Sequence, residues 1–309
     1  RPRPERHGRG PSAAPPAVRA APSRAFPAMG CGNVRPARTW ADQRVSQHRG
    51  SAKVVPLVEN LQLEDVCEGL GDIEPQGFAE DERLAAWTLS GYGAASSGHE
   101  RPMALWIVGP SAVGKSTLAA SIAPSFGIPA VDSEARGSAP AVDAVVVDGT
   151  FFRQVHRTYQ KWIKTPDWAL AYPALKSAIN QEKTELLKRA AEQRKHLVLP
   201  ETCLNLDDCL ALLDELAALG YTNHVLGVVA PKEEVTARGF AREQSEGKRY
   251  APWEFDRSIA AIQPMVAAGN GRYELVRAPQ RPFTPLPPQD VLSSGTCGPE
   301  VRLPPDILC

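Results

Sequence analysis

Eight consecutive residues near the middle of the chain have the types and spacing that bind a nucleotide phosphate. They read Gly109-Pro110-Ser111-Ala112-Val113-Gly114-Lys115-Ser116, and Thr117 follows them. In the G-x-x-x-x-G-K-[ST] pattern, backbone N–H groups of the loop surround phosphate oxygens. The lysine brings positive charge to the β- and γ-phosphates, and the serine hydroxyl is a ligand for Mg²⁺. The pattern predicts that residues 109–117 bind a nucleoside triphosphate, with Lys115 acting on its phosphates and Mg²⁺ at Ser116.

The triphosphate is predicted to be ATP. No guanine-reading N/T-K-x-D sequence follows the loop. The chain after the loop is also short for a large mechanical ATPase with its sensor elements. These features favour a small kinase.

A carboxylate that follows the next apolar segment is the candidate catalytic acid. Asp148 comes directly after the apolar residues 144–147. Open α/β sheets bind their ligands at the carboxyl ends of the strands. Phosphoryl transfer to a hydroxyl needs a carboxylate that orients or deprotonates that hydroxyl. We therefore predict that Asp148 is the acceptor-side base; a Mg²⁺ ligand and a structural strand-end acid are the alternative roles.

Arginines in a later charged segment are candidates for stabilising the transferred phosphoryl group. Arg238 and Arg242 are four residues apart and so share one face of a helix, and Lys248-Arg249 follow Gly247. Lid arginines of small-molecule kinases neutralise charge on that group. We predict that Arg238 and Arg249 form the pair, with Arg242 as the alternate. Ion pairing with glutamates of the same helix is the other interpretation.

Apolar strands and amphipathic helices alternate along the segments that carry these residues. Strands are predicted at 103–109, 144–147, 196–201, 224–230 and 273–278, and helices at 79–89, from 115, and at 172–195, 206–220, 232–247 and 253–269, the last kinked at Pro264. This alternation predicts a P-loop NTPase fold, a three-layer α/β/α domain with a mainly parallel central sheet.

Composition divides the chain into four parts. Residues 1–54 begin with an Arg/Pro/Ala-rich stretch that is expected to be disordered, and 55–102 form a helical and loop lead-in. Residues 103–277 form the kinase domain. Residues 278–309 contain eight prolines, which exclude regular helix and central strand and predict an extended or disordered tail. The folded unit is expected to span about 55–277.

The first methionine is Met29, and two interpretations of the residues before it stay open. They are either leader or mistranslated sequence, or an Arg-rich targeting peptide. If Met29 is the start, Gly30 is a candidate for myristoylation and Cys31 for palmitoylation, although Val34 stands where Ser or Thr is expected. A Gly-rich disordered start is the alternative.

Charge and cysteine content exclude several classes of protein. Lys+Arg and Asp+Glu are 35 each, so net charge does not direct the chain to nucleic acid or membrane. The six cysteines form no C-x-x-C pair, which argues against a zinc site or a disulfide framework and favours a reducing, cytoplasmic compartment. The expected partner is a small-molecule acceptor, with membrane contact only through lipidation at Gly30 or Cys31.

The order of these motifs resembles the zeta-toxin kinases over about residues 103–270. The phosphate loop is followed by Asp148-x-x-x-Phe152-Arg153-x-x-His156, then by Glu201-Thr202, then by the arginine-rich helix. Zeta-toxin kinases use ATP to phosphorylate UDP-N-acetylglucosamine, and many relatives have other acceptors. The resemblance implies that Arg153, His156, Glu201 and Thr202 lie on the acceptor side, and that Glu201 contacts the acceptor or Mg²⁺. A packing role is the alternative for His156.

The chain departs from the family pattern at two positions. The family commonly has D-x-D-x-F-R with the second acid as base, whereas Thr150 stands at that position here. Arg157 replaces the usual proline after the histidine. Either Asp148 acts as the base or the chemistry is weakened or altered.

We therefore predict an ATP-dependent phosphotransferase with an alcohol group as acceptor, a nucleotide-sugar being one candidate. An ATP-binding regulatory protein or pseudokinase with little turnover is the alternative, which Thr150 favours. A kinase of another P-loop family, acting on a sugar, a shikimate-like acid or an antibiotic, is a third hypothesis.

Overall fold

The computed structural model describes residues 77–132, 140–278 and 290–303. Within these ranges the strands are β1 Met103–Val108, β2 Val145–Val146, β3 Leu197–Glu201, β4 Thr222–Val229, β5 Arg272–Arg277 and β6 Val291–Thr296. They form one six-stranded sheet in the order β2-β3-β1-β4-β5-β6. All neighbouring pairs are parallel except β5 and β6, which are antiparallel. The sheet is therefore mixed and mainly parallel, as the alternation of strands and helices predicted.

The helices of the described ranges lie around this sheet. They are α1 Glu80–Leu89, α2 Lys115–Ile122, α3 Gly149–Val155, α4 Arg157–Trp162, α5 Trp168–Glu192, α6 Leu206–Ala218, α7 Lys232–Glu246, α8 Glu254–Ala260 and α9 Ile262–Ala268. A short 3₁₀ helix, Ala123–Phe126, extends α2. The segment predicted as one kinked helix at 253–269 is two helices, α8 and α9. Pro264 lies in the first turn of α9, where a helix tolerates a residue without an N–H.

Strand β1 forms the centre of the core because it is apolar throughout and covered on both faces. Residues 104–108 have no exposed surface, as expected for a strand in a parallel sheet with helices around it. Val108 lies opposite Glu201 of β3 and Gly227 of β4. The loop that follows β1 therefore leaves the sheet beside the carboxyl ends of β3 and β4.

Strand β6 corrects the prediction that the strand at 273–278 is the last one. The segment VLSSGT contains no proline and pairs with β5 at the edge of the sheet. The sheet therefore extends past residue 277. Residues 1–76, 133–139, 279–289 and 304–309 lie outside the described residues, and the predictions for Gly30 and Cys31 fall there. In the described ranges, no helix has the length and apolarity that a membrane span requires.

Candidate active site

The phosphate loop joins β1 to α2 and adopts a backbone that its residue types permit. Gly114 has a φ of 106°, in the left-handed region that glycine enters without strain. A Cβ on Gly109 would overlap the carbonyl oxygen of Val228, so only glycine fits there. Helix α2 begins at Lys115, as predicted, and its N-terminus faces the loop. Free N–H groups of a helix start favour an anion.

Lys115 is buried within this loop, with 8% of its surface exposed. Its Nζ donates hydrogen bonds to the carbonyl oxygens of Gly109 and Pro110, each at 2.7 Å. Burial lowers the pKa of Lys115 to about 7, and the nearby charge of Lys248 adds to this effect. A bound phosphate would bring negative charge beside the ammonium group and favour its protonated form.

Asp148 follows β2 and caps α3, and it is held from two sides. Its Oδ1 accepts a hydrogen bond from the backbone N–H of Thr150 at 2.8 Å, and its Oδ2 accepts one from Ser116 Oγ. Burial would raise the pKa of Asp148, but these two hydrogen bonds and the charges of Lys183 and Arg153 outweigh it and lower the pKa. Asp148 is therefore an ionised carboxylate in direct contact with the phosphate loop.

Ser116 and Asp148 together offer the ligand types that Mg²⁺ prefers. A hydroxyl and a carboxylate are hard oxygen ligands, and the two side chains are hydrogen-bonded to each other. The described residues contain no group of three or more His, Cys, Asp or Glu side chains placed to hold a metal. Mg²⁺ bound here would therefore need phosphate oxygens and water to complete its coordination. The residues present fit that arrangement.

Thr150 and Arg153 lie on α3, the helix that Asp148 caps. Arg153 Nη2 donates to Thr150 Oγ1 at 2.9 Å and lies 3.8 Å from Glu246 Oε2. The family pattern has an acid at the position of Thr150. Here that position has a neutral hydroxyl, which accepts a hydrogen bond from the Arg153 guanidinium group.

Glu201 ends β3 beside the phosphate loop. Its backbone carbonyl accepts the N–H of Gly109 at 3.3 Å, and its Oε1 accepts Lys183 Nζ at 2.7 Å. Burial disfavours the charged form of Lys183, but the negative charges of Glu201 and Asp148 outweigh burial and raise the pKa of Lys183. Lys183 thus lies near both carboxylates. Thr202, the other residue implied by the resemblance, follows Glu201 and is half-buried.

Tyr172 and Trp168 form an aromatic face that the sequence analysis missed. Lys248 Nζ lies 4.9 Å from the centre of the Tyr172 ring, and the Arg153 guanidinium carbon lies 5.6 Å from it. Arg249 lies 5.9 Å from the Trp168 ring. Burial would raise the pKa of Tyr172, but the charges of Lys248 and other nearby cations outweigh burial and lower the pKa. The two rings are four residues apart on α5, a spacing that places them on one helix face.

His156 has the geometry of a packing and capping residue. Its Nδ1 accepts the N–H of Tyr159 at 3.2 Å at the start of α4, and its ring lies 4.7 Å from that of Phe78. Only 3% of the residue is exposed. This geometry favours the packing interpretation over acceptor contact. Tyr159 and Trp162, which follow His156 on α4, are buried in the core.

The predicted lid arginines lie in different surroundings. Arg249 is beside Trp168, and Arg242 Nε lies 3.2 Å from Glu246 Oε1, the carboxylate that Arg153 also approaches. Arg238 lies 4.0 Å from Glu234, one turn earlier on α7. The structure therefore places Arg249 beside Trp168, brings Arg242 to the carboxylate that Arg153 also approaches, and places Arg238 in an ion pair within its own helix.

A family model described as "Zeta toxin" matches residues 92–268, more than half of the chain. The chain belongs to the zeta toxin family. The predicted resemblance is thereby confirmed. Zeta toxin family members are P-loop kinases, and membership supports an ATP-using, kinase-like phosphotransferase.

A solved structure of another protein shows the same fold as this zeta toxin family member. A chain from the PezAT chromosomal toxin–antitoxin system of Streptococcus pneumoniae is 14% identical, with a TM-score of 0.51 over 75% of this chain and 88% of that chain. A chain of the AvrRxo1-ORF1:-ORF2 complex is 13% identical, with a TM-score of 0.43 over 71% of this chain and 65% of that chain. No match was found among curated proteins.

Proposed function

We propose that the protein transfers the γ-phosphate of ATP to a hydroxyl group of a small molecule. One observation carries this proposal: the hydrogen bond between Ser116 and Asp148 joins the phosphate loop to an ionised carboxylate. Phosphoryl transfer from a triphosphate to a hydroxyl needs a carboxylate beside the phosphate site that orients or deprotonates the acceptor. Family membership supports the same reaction class.

ATP would bind with its phosphates on the N–H groups of residues 109–117. Lys115 would turn from the carbonyl oxygens of its own loop towards the β- and γ-phosphates. Ser116 Oγ would be the protein ligand of Mg²⁺, which when bound would neutralise charge on the phosphates and leave Asp148 free for the acceptor.

Asp148 is the proposed base. The acceptor oxygen forms a bond to the γ-phosphorus, the bond from that phosphorus to the β–γ bridging oxygen breaks, and ADP leaves with the electron pair. The proton of the acceptor hydroxyl passes to the Asp148 carboxylate. Oδ1 stays on the N–H of Thr150, which fixes the carboxylate, so Oδ2 is the oxygen that faces the acceptor once Ser116 contacts the phosphates.

Cations around Tyr172 favour an acceptor that carries negative charge, such as a nucleotide-sugar. Lys248 and Arg153 both approach the Tyr172 ring, and Arg249 approaches Trp168. A planar group of the acceptor could stack on these two aromatic rings. Its anionic group could accept hydrogen bonds from these cationic side chains. Glu201 and Thr202 would contact acceptor hydroxyls from the other side.

Arg249 is the better placed of the two arginines proposed to stabilise the transferred phosphoryl group. Arg238 would have to leave its ion pair with Glu234 to reach that group. Arg242, the alternate, would have to leave Glu246. A rearrangement of α7 and of residues 247–249 on ATP binding would allow either exchange.

The test is incubation of the protein with labelled ATP, Mg²⁺ and a metabolite extract, followed by identification of the labelled product. We expect one small-molecule product, which Lys115→Met abolishes. The matched control is Lys188→Met, a change on the exposed face of α5. ATP bound without any labelled product would contradict the proposal.

A second candidate function is an ATP-binding regulatory protein, which the neutral Thr150 favours. Its Oγ1 accepts a hydrogen bond from Arg153 and supplies no second carboxylate. Such a protein would bind ATP with normal affinity, show no turnover with any acceptor, and differ between its ATP-bound and free forms in partner binding.

A further inference from the structure

Helix α1 precedes the part of the chain that the family model matches, yet it packs against the acceptor side. The match begins at residue 92, whereas α1 spans Glu80–Leu89. Phe78, just before the helix, places its ring edge-on against Phe152 of α3 at 5.6 Å. Arg83 makes two hydrogen bonds with Glu182 of α5, at 2.7 and 2.8 Å. Helix α1 is thus fixed to both helices that carry acceptor-side residues.

One carboxylate of α1 caps two helices. Glu82 Oε2 accepts the N–H of Ala79 at 3.1 Å at the start of α1, the acidic half of a capping box. Its Oε1 accepts the N–H of Arg157 at 2.8 Å at the start of α4. Glu82 is only 7% exposed. A buried carboxylate is tolerated here because both oxygens accept N–H groups at positive helix ends.

The segment that carries Asp148 is therefore held by α1 at both of its ends. Before Asp148, the N–H of Val146 donates to the carbonyl of Ser90, at the C-terminus of α1, at 2.9 Å. After it, α3 is followed by the single residue His156 and then by Arg157, which Glu82 holds. Asp148 and α3 lie between these two contacts.

We propose that Glu82 is a positioning residue that fixes α3, and with it Asp148 and Arg153, in the arrangement required for phosphoryl transfer. It acts through the N–H of Arg157 and touches neither ATP nor acceptor. The acceptor-side geometry then depends on a helix outside the matched family region. The kinetic part of this inference rests on the proposed function; the structural part does not.

The structural part is tested by amide hydrogen exchange on the full chain, with Glu82→Gln and Glu82→Leu. Glutamine can accept only one of the two N–H groups and leucine neither, so the effects should be graded. We expect exchange in residues 149–157 to quicken by about tenfold in Glu82→Leu and by less in Glu82→Gln. Exchange in α2 should stay unchanged. An unchanged rate at 149–157, or a uniform increase over the whole domain, would overturn the proposal.

The kinetic part is tested by turnover of the same variants with the acceptor found above. We expect Glu82→Leu to lower kcat about tenfold, because small misplacements cost this much, with the KM for ATP within about twofold. The matched control is Glu185→Gln, which removes a carboxylate from an exposed ion pair with Arg189 on α5. Equal losses in kcat and in ATP affinity would show a general folding defect and reject the positioning role. If the wild type has no turnover, the proposed function fails, and the exchange result alone decides the role of Glu82.

Discussion

Ser116 of the phosphate loop donates a hydrogen bond to Asp148, which caps helix α3. A single side-chain contact thus joins the two halves of the candidate site. Asp148→Asn should lower phosphotransfer by about 10²- to 10⁴-fold, because an amide cannot take the acceptor proton. ATP binding and folding should persist, since asparagine can still cap α3. Turnover and nucleotide titration measure the two effects.

The control for Asp148→Asn is Asp256→Asn, which removes a carboxylate from an exposed ion pair with Lys232. It should leave turnover unchanged. Full activity of Asp148→Asn would remove Asp148 as the base.

Thr150→Asp tests whether Asp148 alone is sufficient as the base or whether the missing second acid weakens the chemistry. If Asp148 is sufficient as base, the added carboxylate pairs with Arg153, which already contacts Thr150, and turnover changes by less than about tenfold. A much larger gain would mean that the neutral Thr150 limits the chemistry. Thr150→Asn is the control for shape without charge. Initial rates of all three proteins provide the comparison.

Gly109→Ala should weaken both the fold and ATP binding. The added Cβ meets the backbone oxygen of Val228, which cannot move without disturbing β4, so we expect a loss of about 1–3 kcal/mol. Gly93→Ala is the matched control, because a Cβ there meets nothing within 4 Å. Thermal unfolding should show a lower Tm for the first variant and little change for the second. Equal Tm values would contradict the steric account.

Stability should fall with acidification below neutral pH because of His196. Its Nδ1 accepts the N–H of Met103 at 2.9 Å, and its ring stacks on His99 at 3.8 Å. Burial, aided by His99, lowers its pKa from 6.5 to about 4. Between these two pKa values the unfolded chain binds more protons than the folded one. The folded state therefore loses up to roughly 3 kcal/mol of stability as the pH falls through this range.

Urea unfolding from pH 7 to pH 4 measures this effect. His196→Gln should flatten the dependence in that window. If the pH dependence of stability is unchanged in this variant, groups other than His196 cause it.

Local patterns predicted the parts of the site that depend on neighbours in the sequence. The phosphate loop, the start of α2 at Lys115 and the position of Asp148 after a strand follow from residue order alone. Lys183 and Tyr172 were missed because their roles arise from packing of α5 against distant strands. The sequence analysis did not single out Glu82, because it is one of several acids in the first turn of α1 and its second partner lies 75 residues away. Strand β6 was missed because prolines on either side of it dominated the composition.

Strand β6 also has a consequence for the state of the protein in solution. Without it, β5 would present unpaired N–H and C=O groups beside the apolar residues Leu275 and Val276, and such an edge pairs readily with another chain. The opposite edge, β2, is only two residues long and offers little to pair with. A form of the chain that stops at residue 278 would therefore keep its whole candidate site yet be prone to sheet-to-sheet aggregation.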